Sequence, residues 1–199
     1  IGKGPLGGGD LAVLVRTHRE AELVRGALAK LNIASVYYSQ DSVFATDEAR
    51  QLHQLLAALL DLSDGAQIGN ALVTDLFGLD SFALHALRTD QLRWGEVAAE
   101  LAEYHQRWSK AGVMAMLHLV LHRRQVVSRL LATSGGERKL TNFLHLAELL
   151  QAAAGRYRMD ELVRWFSQQL QAPEPEAASQ QLRLESDSDL VKIVTIHKA

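Results

Sequence analysis

Several features are missing from this chain of 199 residues, beginning with cysteine. Without cysteine the chain has no disulfide framework and no thiolate metal site, which fits a reducing cytoplasm. No segment reaches the ~20 uninterrupted apolar residues that span a membrane, and no signal peptide opens the sequence. We therefore expect a soluble, cytoplasmic protein with no membrane partner.

Motifs for nucleotide hydrolysis are also missing. No glycine-rich loop ends in Lys-Ser or Lys-Thr to hold phosphates, and no strand ends in paired acidic residues to hold magnesium. His118 and His122 are spaced to share a helix face, but the glutamate of a zinc-protease helix is absent between them. We therefore expect no catalytic residue and no metal site in the isolated chain.

A strand followed by a helix is predicted near the start of the chain. Residues 11–15 form an unbroken apolar run, which is typical of a strand buried on both faces. Thr17 precedes Glu20 by three residues, the spacing of a capping box in which the hydroxyl accepts from the Glu20 amide and the carboxylate reaches back. Arg16 then stands at the carboxyl end of the strand, where open parallel sheets bind their ligands.

The β-type pattern continues at residues 33–38 and returns only at 190–196, and both segments predict strands parallel to the first. The periodicity between them is helical. Further helices are predicted at 46–62, 66–77, 81–88, 90–109, 113–132, 137–153 and 159–170. The expected fold class is α/β with a large all-helical insertion, predominantly α overall, around a partial parallel sheet.

Positive charge is concentrated in the helical region. Residues 104–164 carry ten Lys and Arg against four Asp and Glu, whereas residues 1–103 carry eight against fourteen. Such an excess can neutralise nucleic-acid phosphates, or it can form ordinary solvated helix faces. The tryptophans Trp94, Trp108 and Trp165 are expected as core or interface residues rather than base-stacking platforms.

Two segments carry a resemblance to a known family. DLAVLVRTHREAELVRGAL, at 10–28, resembles the fourth motif of the UvrD-like superfamily 1 DNA helicases, and LVKIVTIHKA, at 190–199, resembles the start of their fifth motif. GGERKLTNFLHLAELLQ, at 135–151, and QLRLESDSDLVKIVTIHK, at 181–198, are most similar to the beta-subunit family of exodeoxyribonuclease V, whose members are helicase-nucleases.

The resemblance implies a division of the chain. Residues 10–62 and 182–199 would form part of the second RecA-like motor lobe. Residues 63–181 would form a helical insertion that includes an acidic, proline-containing linker at 172–179. The first nine residues contain five glycines and are expected to be a flexible leader or a cloning remnant.

The resemblance also implies a function, namely ATP-dependent DNA unwinding in double-strand break repair and recombination. ATP and magnesium would bind to the full enzyme between two lobes, with Arg16 reaching the γ-phosphate. Thr195 and His197 match positions that contact the single strand or couple it to the nucleotide. Many relatives have an adenine-stacking aromatic residue just before the arginine, where this chain has Val15.

The helical insertion would contact duplex DNA or the other exodeoxyribonuclease V subunits. Candidate basic contacts are Arg123, Arg124, Arg138 and Lys139. An alternative remains open, because the chain lacks phosphate-binding motifs and has a formal net charge of only -2. In that alternative the chain is a non-catalytic α/β and helical module that binds protein partners.

Overall fold

The computed structural model describes residues 7–38, 42–172 and 190–195. The chain divides into two compact units, which we call the sheet unit, residues 1–41 with 184–199, and the helical unit, residues 42–183. Residues 1–6 of the predicted leader and 173–179 of the predicted linker lie outside the described residues.

In its described residues the sheet unit contains three parallel strands, one α-helix and a short 3-10 helix at Gly8–Asp10. The strands are β1 (Ala12–Val15), β2 (Ser35–Tyr38) and β3 (Val191–Thr195), and helix α1 (His18–Lys30) connects the first two. The strand order is β1-β3-β2, so the strand from the far end of the sequence lies between the two from the start. This confirms the predicted fold class, in which the last strand joins the sheet that begins the chain.

One face of this sheet packs against α1. Ala21 and Ile193 are fully buried there, together with Val15, and Val24 on α1 packs against them. The prediction that β1 is buried on both faces is wrong, because Leu14 is 63% exposed. The apolar run indicated a strand correctly, but β1 is an edge strand of a small sheet, and α1 packs on the face opposite Leu14.

The helical unit contains the remaining helices in the described part of the chain. They are α2 (Asp47–Leu60), α3 (Gly65–Leu72), α4 (Ser81–Thr89), α5 (Gln91–Arg123), α6 (Val126–Leu131), α7 (Gly136–Ala153) and α8 (Met159–Gln171). Two predicted helices differ from these. The helix predicted to reach residue 77 ends at Leu72, and the helix predicted over 113–132 is broken at Gln125, whose φ is 50°.

Helix α2 is the centre of the helical core. It packs against α3, α5, α7 and α8. Its apolar face is fully buried through Leu52, Leu55, Leu56 and Leu59. The compact units therefore separate after Asp41, earlier than the predicted boundary at residue 62. The Thr46 cap marks where α2 begins, since its hydroxyl accepts from the Ala49 amide, but a cap carries no information about which core the helix joins.

Polar contacts tie α2 to the rest of the helical unit. Buried Asn142 donates to the buried Glu48 carboxylate at 2.9 Å. Asp75 accepts from Lys139 at 2.7 Å and from Gln51 at 3.2 Å. Burial opposes ionisation of Asp75, but the hydrogen bonds from Lys139 and Gln51 outweigh it and lower the pKa of this carboxyl.

A half-buried histidine on α2 should make the stability of the helical unit depend on pH. His53 lies edge-on to Phe166, with ring centroids 5.6 Å apart, and burial lowers its pKa from 6.5 despite a hydrogen bond with the Val163 backbone. Its folded-state pKa is below the unfolded value, so the unfolded chain binds more protons as pH falls through 6.5. We expect the free energy of unfolding to decrease on acidification through this range. Urea unfolding of His53→Phe should show a smaller decrease, and the exposed control His85→Gln should behave like the parent chain.

Candidate functional site

The backbone of Arg16 is held in place where β1 meets α1. The Thr17 hydroxyl accepts from the Glu20 amide at 3.2 Å, as the capping-box prediction requires. The Glu20 carboxylate reaches back to the Arg16 amide, which donates to it at 2.8 Å. The predicted hydrogen bond to the Thr17 hydroxyl is therefore confirmed. The Glu20 carboxylate accepts from the amide of Arg16, the residue before the cap, rather than from the amide of Thr17 itself. Glu20 thus fixes the strand end that carries Arg16.

The side chain of Arg16 is exposed at this strand end. Among the described residues, no carboxylate forms an ion pair with its guanidinium. An exposed guanidinium offers forked N–H donors that match the oxygens of a phosphate group. Within the described part of the chain, Arg16 is therefore an exposed anion-binding group rather than part of an ion pair.

The strand register brings the second predicted segment to the same edge. Thr195 pairs with Val15, the residue that precedes Arg16, and Val13 pairs with Ile193. Because parallel strands end at the same edge of a sheet, the backbone of Thr195 and the strand end bearing Arg16 lie at one carboxyl edge. His197, the third predicted residue, lies outside the described residues.

Val15 itself is 6% exposed and packs in the sheet core. The side chain before the arginine is thus directed into the core that α1 covers. Neither its chemistry nor its position supports stacking against a base.

Three of the four candidate basic residues make ion pairs inside the helical unit. Arg123 contacts Glu103 at 2.5 Å, and Lys139 contacts Asp75 at 2.7 Å. Arg124 contacts Glu100 at 2.5 Å. Arg138 is half-buried. A DNA phosphate at these positions would compete with carboxylates, so DNA binding by these residues stays a prediction.

Arg124 belongs to a partly buried network. Its Nε and Nη2 atoms donate to Glu100 at 2.8 and 2.5 Å, and its guanidinium carbon lies 4.9 Å from the centroid of the Phe77 ring. The Tyr104 hydroxyl also donates to Glu100, and burial followed by this hydrogen bond raises the tyrosine pKa. Helix α5 is kinked at Gly112, and these contacts give Arg124 a structural role in holding together the two helical segments on either side of the kink.

The tryptophans lie in different environments. Trp108 is 3% exposed and belongs to the core, as predicted. Trp165 is half-buried. It lies edge-on to Phe44, with centroids 5.8 Å apart, and it stacks on Tyr157, with centroids 5.9 Å apart and an interplanar angle of 21°. This stack with Tyr157 was missed by the sequence reasoning. Its sequence signal is Arg-Tyr-Arg at 156–158, just before the helix that carries Trp165.

The described part of the chain contains neither a cluster of metal ligands nor a membrane-spanning helix. There, no three side chains of the His, Cys, Asp and Glu types come together in a possible metal site, and this includes His118 and His122. No helix among the described residues has both the length and the apolar content needed to cross a membrane.

Curated proteins resemble the chain over nearly its whole length. It is 45% identical over 197 residues to RecBCD enzyme subunit RecB of Escherichia coli, a match that covers 98% of this chain and 17% of that subunit. RecB of Haemophilus influenzae is 45% identical over 96% of this chain and 16% of its own length. RecB of Mycobacterium tuberculosis is 32% identical over 98% of this chain and 18% of its own length. No protein-family model matches the sequence.

Proposed function

Since the chain belongs to the RecB family, as a segment covering about 17% of its E. coli member, we propose that it forms one side of the ATP cleft in a DNA helicase and exonuclease subunit. The single observation that carries this proposal is the exposed guanidinium of Arg16, which has no carboxylate partner among the described residues and lies at the carboxyl edge of a parallel sheet. The sheet unit is then part of a motor lobe, and the helical unit is its insertion.

In this proposal Arg16 binds the γ-phosphate of ATP held against it by a second lobe. The guanidinium stabilises the negative charge that develops on the phosphate oxygens when the terminal phosphoanhydride bond is hydrolysed. Glu20 supports this role, because its bond to the Arg16 amide fixes the backbone from which the guanidinium extends. ATP and magnesium bind to the complete subunit, which acts in DNA repair and recombination together with DNA and the other RecBCD subunits.

The edge position of Thr195 supports a role in coupling DNA to the nucleotide. Thr195 is the last residue of the central strand and is in register with the residue before Arg16. His197 comes two residues later in the sequence. A single DNA strand bound there would contact the same sheet edge as ATP. The contacts would be to phosphate and sugar, which position the strand without reading its sequence.

Replacing Thr195 by valine should reduce the ratio of DNA-stimulated to basal ATP hydrolysis about tenfold. The change removes a hydroxyl whose hydrogen bond to a charged phosphate is worth about 1.5 kcal/mol, and it keeps a β-branched side chain suited to the strand. The measurement uses a full-length E. coli RecB subunit in which this chain replaces the matching segment. Thr195→Ser keeps the hydroxyl and should restore the ratio; an unchanged ratio in the valine variant would contradict the coupling role.

The alternative of a protein-interaction module makes a different prediction. A module that never meets nucleotide would tolerate the loss of the Arg16 guanidinium without any change in ATP hydrolysis. Ion pairing of Arg123, Arg124 and Lys139 within the helical unit is compatible with either function.

A further inference from the structure

An aromatic groove with arginines along it lies on the helical unit. We call it the Tyr157 groove and define it by Arg156, Tyr157, Arg164 and Trp165. A cavity of about 270 Å³ is lined by both rings together with Phe44 and Arg156. A second cavity of about 460 Å³ is lined by both rings together with Arg156, Arg164 and Glu161. Each cavity is bounded by both aromatic rings.

The stack is supported from the protein interior and open at its outer ring. Phe44 is 1% exposed and contacts Trp165 edge-on, so it fixes the inner ring. Tyr157 is 37% exposed, so it keeps apolar surface in contact with solvent. Its position after the end of α7 and before α8 leaves it outside the helical core. A planar ligand can therefore stack beside Tyr157 without displacing a core residue.

Three exposed arginines and two exposed carboxylates lie at the groove or beside it, namely Arg156, Arg158 and Arg164 with Asp160 and Glu161, so positive charge is in excess by one. Arg156 and Arg158 are exposed, and neither forms an ion pair with a carboxylate among the described residues. The Glu161 carboxylate accepts from the Arg158 amide at 2.9 Å and so caps α8. Arg164 pairs with Asp160 at 3.0 Å, but both side chains are more than half exposed, so the pair is weak and can yield to a phosphate.

We propose that the Tyr157 groove binds single-stranded nucleic acid, with a base stacked beside Tyr157 and phosphates held by Arg156 and Arg164. Stacking on an aromatic ring flanked by arginines is the usual chemistry of single-strand binding, and it tolerates any base. A duplex does not fit this chemistry, because its bases are already stacked and paired. The inference deepens the proposed function, which assigns no DNA contact to a particular place on the helical unit.

The groove can be tested with the 199-residue chain and no nucleotide present. The probe is a fluorescein-labelled oligothymidylate of about twelve nucleotides, within the ~4–16 nucleotides of usual single-strand sites, and binding is measured by anisotropy at low salt. Tyr157→Ala should weaken binding about tenfold, since stacking contributes about 1–3 kcal/mol per base. Tyr157→Phe keeps the ring and should bind like the parent chain. Phe82→Ala is the control, because it removes an 86% exposed aromatic residue elsewhere on the unit.

Salt dependence tests the arginines separately. Each phosphate contact contributes about −0.7 to the slope of log K against log salt for a single strand. Arg156→Ala should reduce the steepness of that slope by about 0.7 and weaken binding of the same probe at low salt.

Three results of the probe-binding measurements would each overturn the proposal. The first is that the parent chain does not bind the probe at low salt. The second is that Tyr157→Ala, while unfolding at the same urea concentration as the parent, binds the probe with parent affinity. The third is that Phe82→Ala loses as much affinity as Tyr157→Ala. If Tyr157→Ala instead disrupts binding to another RecBCD subunit while probe affinity is unchanged, the groove binds protein and the proposal fails. None of these results involves ATP, so the proposed role of Arg16 would be unaffected.

Discussion

Replacing Arg16 by alanine should lower ATP hydrolysis about 10³-fold in the E. coli RecB subunit that carries this chain in place of its own segment. The value follows from the ~10³–10⁵-fold contribution of arginines that stabilise the transition state of phosphoryl transfer. Arg16 has the required properties, because its side chain is exposed and its amide is anchored by Glu20. Steady-state ATPase assays with saturating single-stranded DNA measure the effect.

Two further variants separate the arginine's chemistry from its charge. Arg16→Lys keeps the positive charge but loses the forked donors, so it should recover only a small part of the activity. Arg19→Ala removes an exposed arginine from the first turn of α1 and should hydrolyse ATP at the parent rate. Undiminished hydrolysis in Arg16→Ala would refute the proposed role and favour the protein-interaction module.

Replacing Gly136 by alanine should destabilise the helical unit by about 3 kcal/mol or more. Gly136 is buried at the start of α7, and a Cβ atom built there would overlap the Leu130 carbonyl in the last turn of α6. The obstacle is backbone, which cannot move aside as a side-chain end can, so the cost lies at the upper end of the 1–3 kcal/mol usual for overpacking. Urea unfolding followed by circular dichroism measures the loss.

A matched glycine provides the control for this substitution. Gly95 lies exposed inside α5, and a Cβ built on it has no neighbour within 4 Å. Gly95→Ala should therefore stabilise the helix by about 0.5–1 kcal/mol, through the lower conformational entropy of the unfolded chain. The same chemical change then has opposite effects at two positions. Equal effects would show that the contact between α6 and α7 is looser than the structure indicates.

Local signals in the sequence predicted most of the secondary structure. The run before Arg16 predicted β1, and Thr17 predicted the start of α1 at the correct residue. Gly112 lies between the helices predicted over 90–109 and 113–132; it has a φ of 85° and kinks α5 at that residue. In each case the determining interactions lie within a few residues along the chain, so a local sequence pattern is enough to predict the element.

Long-range packing was less accessible to sequence reasoning. The apolar face of α2 predicted burial, but not that α3, α7 and α8 would cover it. Exposure of Leu14 depends on how many elements surround the sheet, which no local pattern specifies. The stack of Tyr157 on Trp165 depends on the turn between α7 and α8, whose path the residue types did not predict.

The return of the β-type pattern after the helical region predicted that the last strand joins the first sheet, and the two helicase-like motifs implied the same pairing. Periodicity predicts three strands but not their order. The position of Thr195 opposite Val15 therefore emerged only from the strand register. The ion pairs of Arg123 and Lys139 could not be predicted, since their partners are remote in sequence.

The central place of β3 has a consequence for how the molecule is made. On a ribosome, β1 and β2 emerge first, and neither is hydrogen-bonded to the other in the finished sheet. Residues 39–190 must be synthesised before the strand that joins them is available. During that interval both early strands have unpaired backbone edges, which favours aggregation or capture by a chaperone. The helical unit, whose residues lie within 42–183, can complete its core while the sheet still lacks its middle strand.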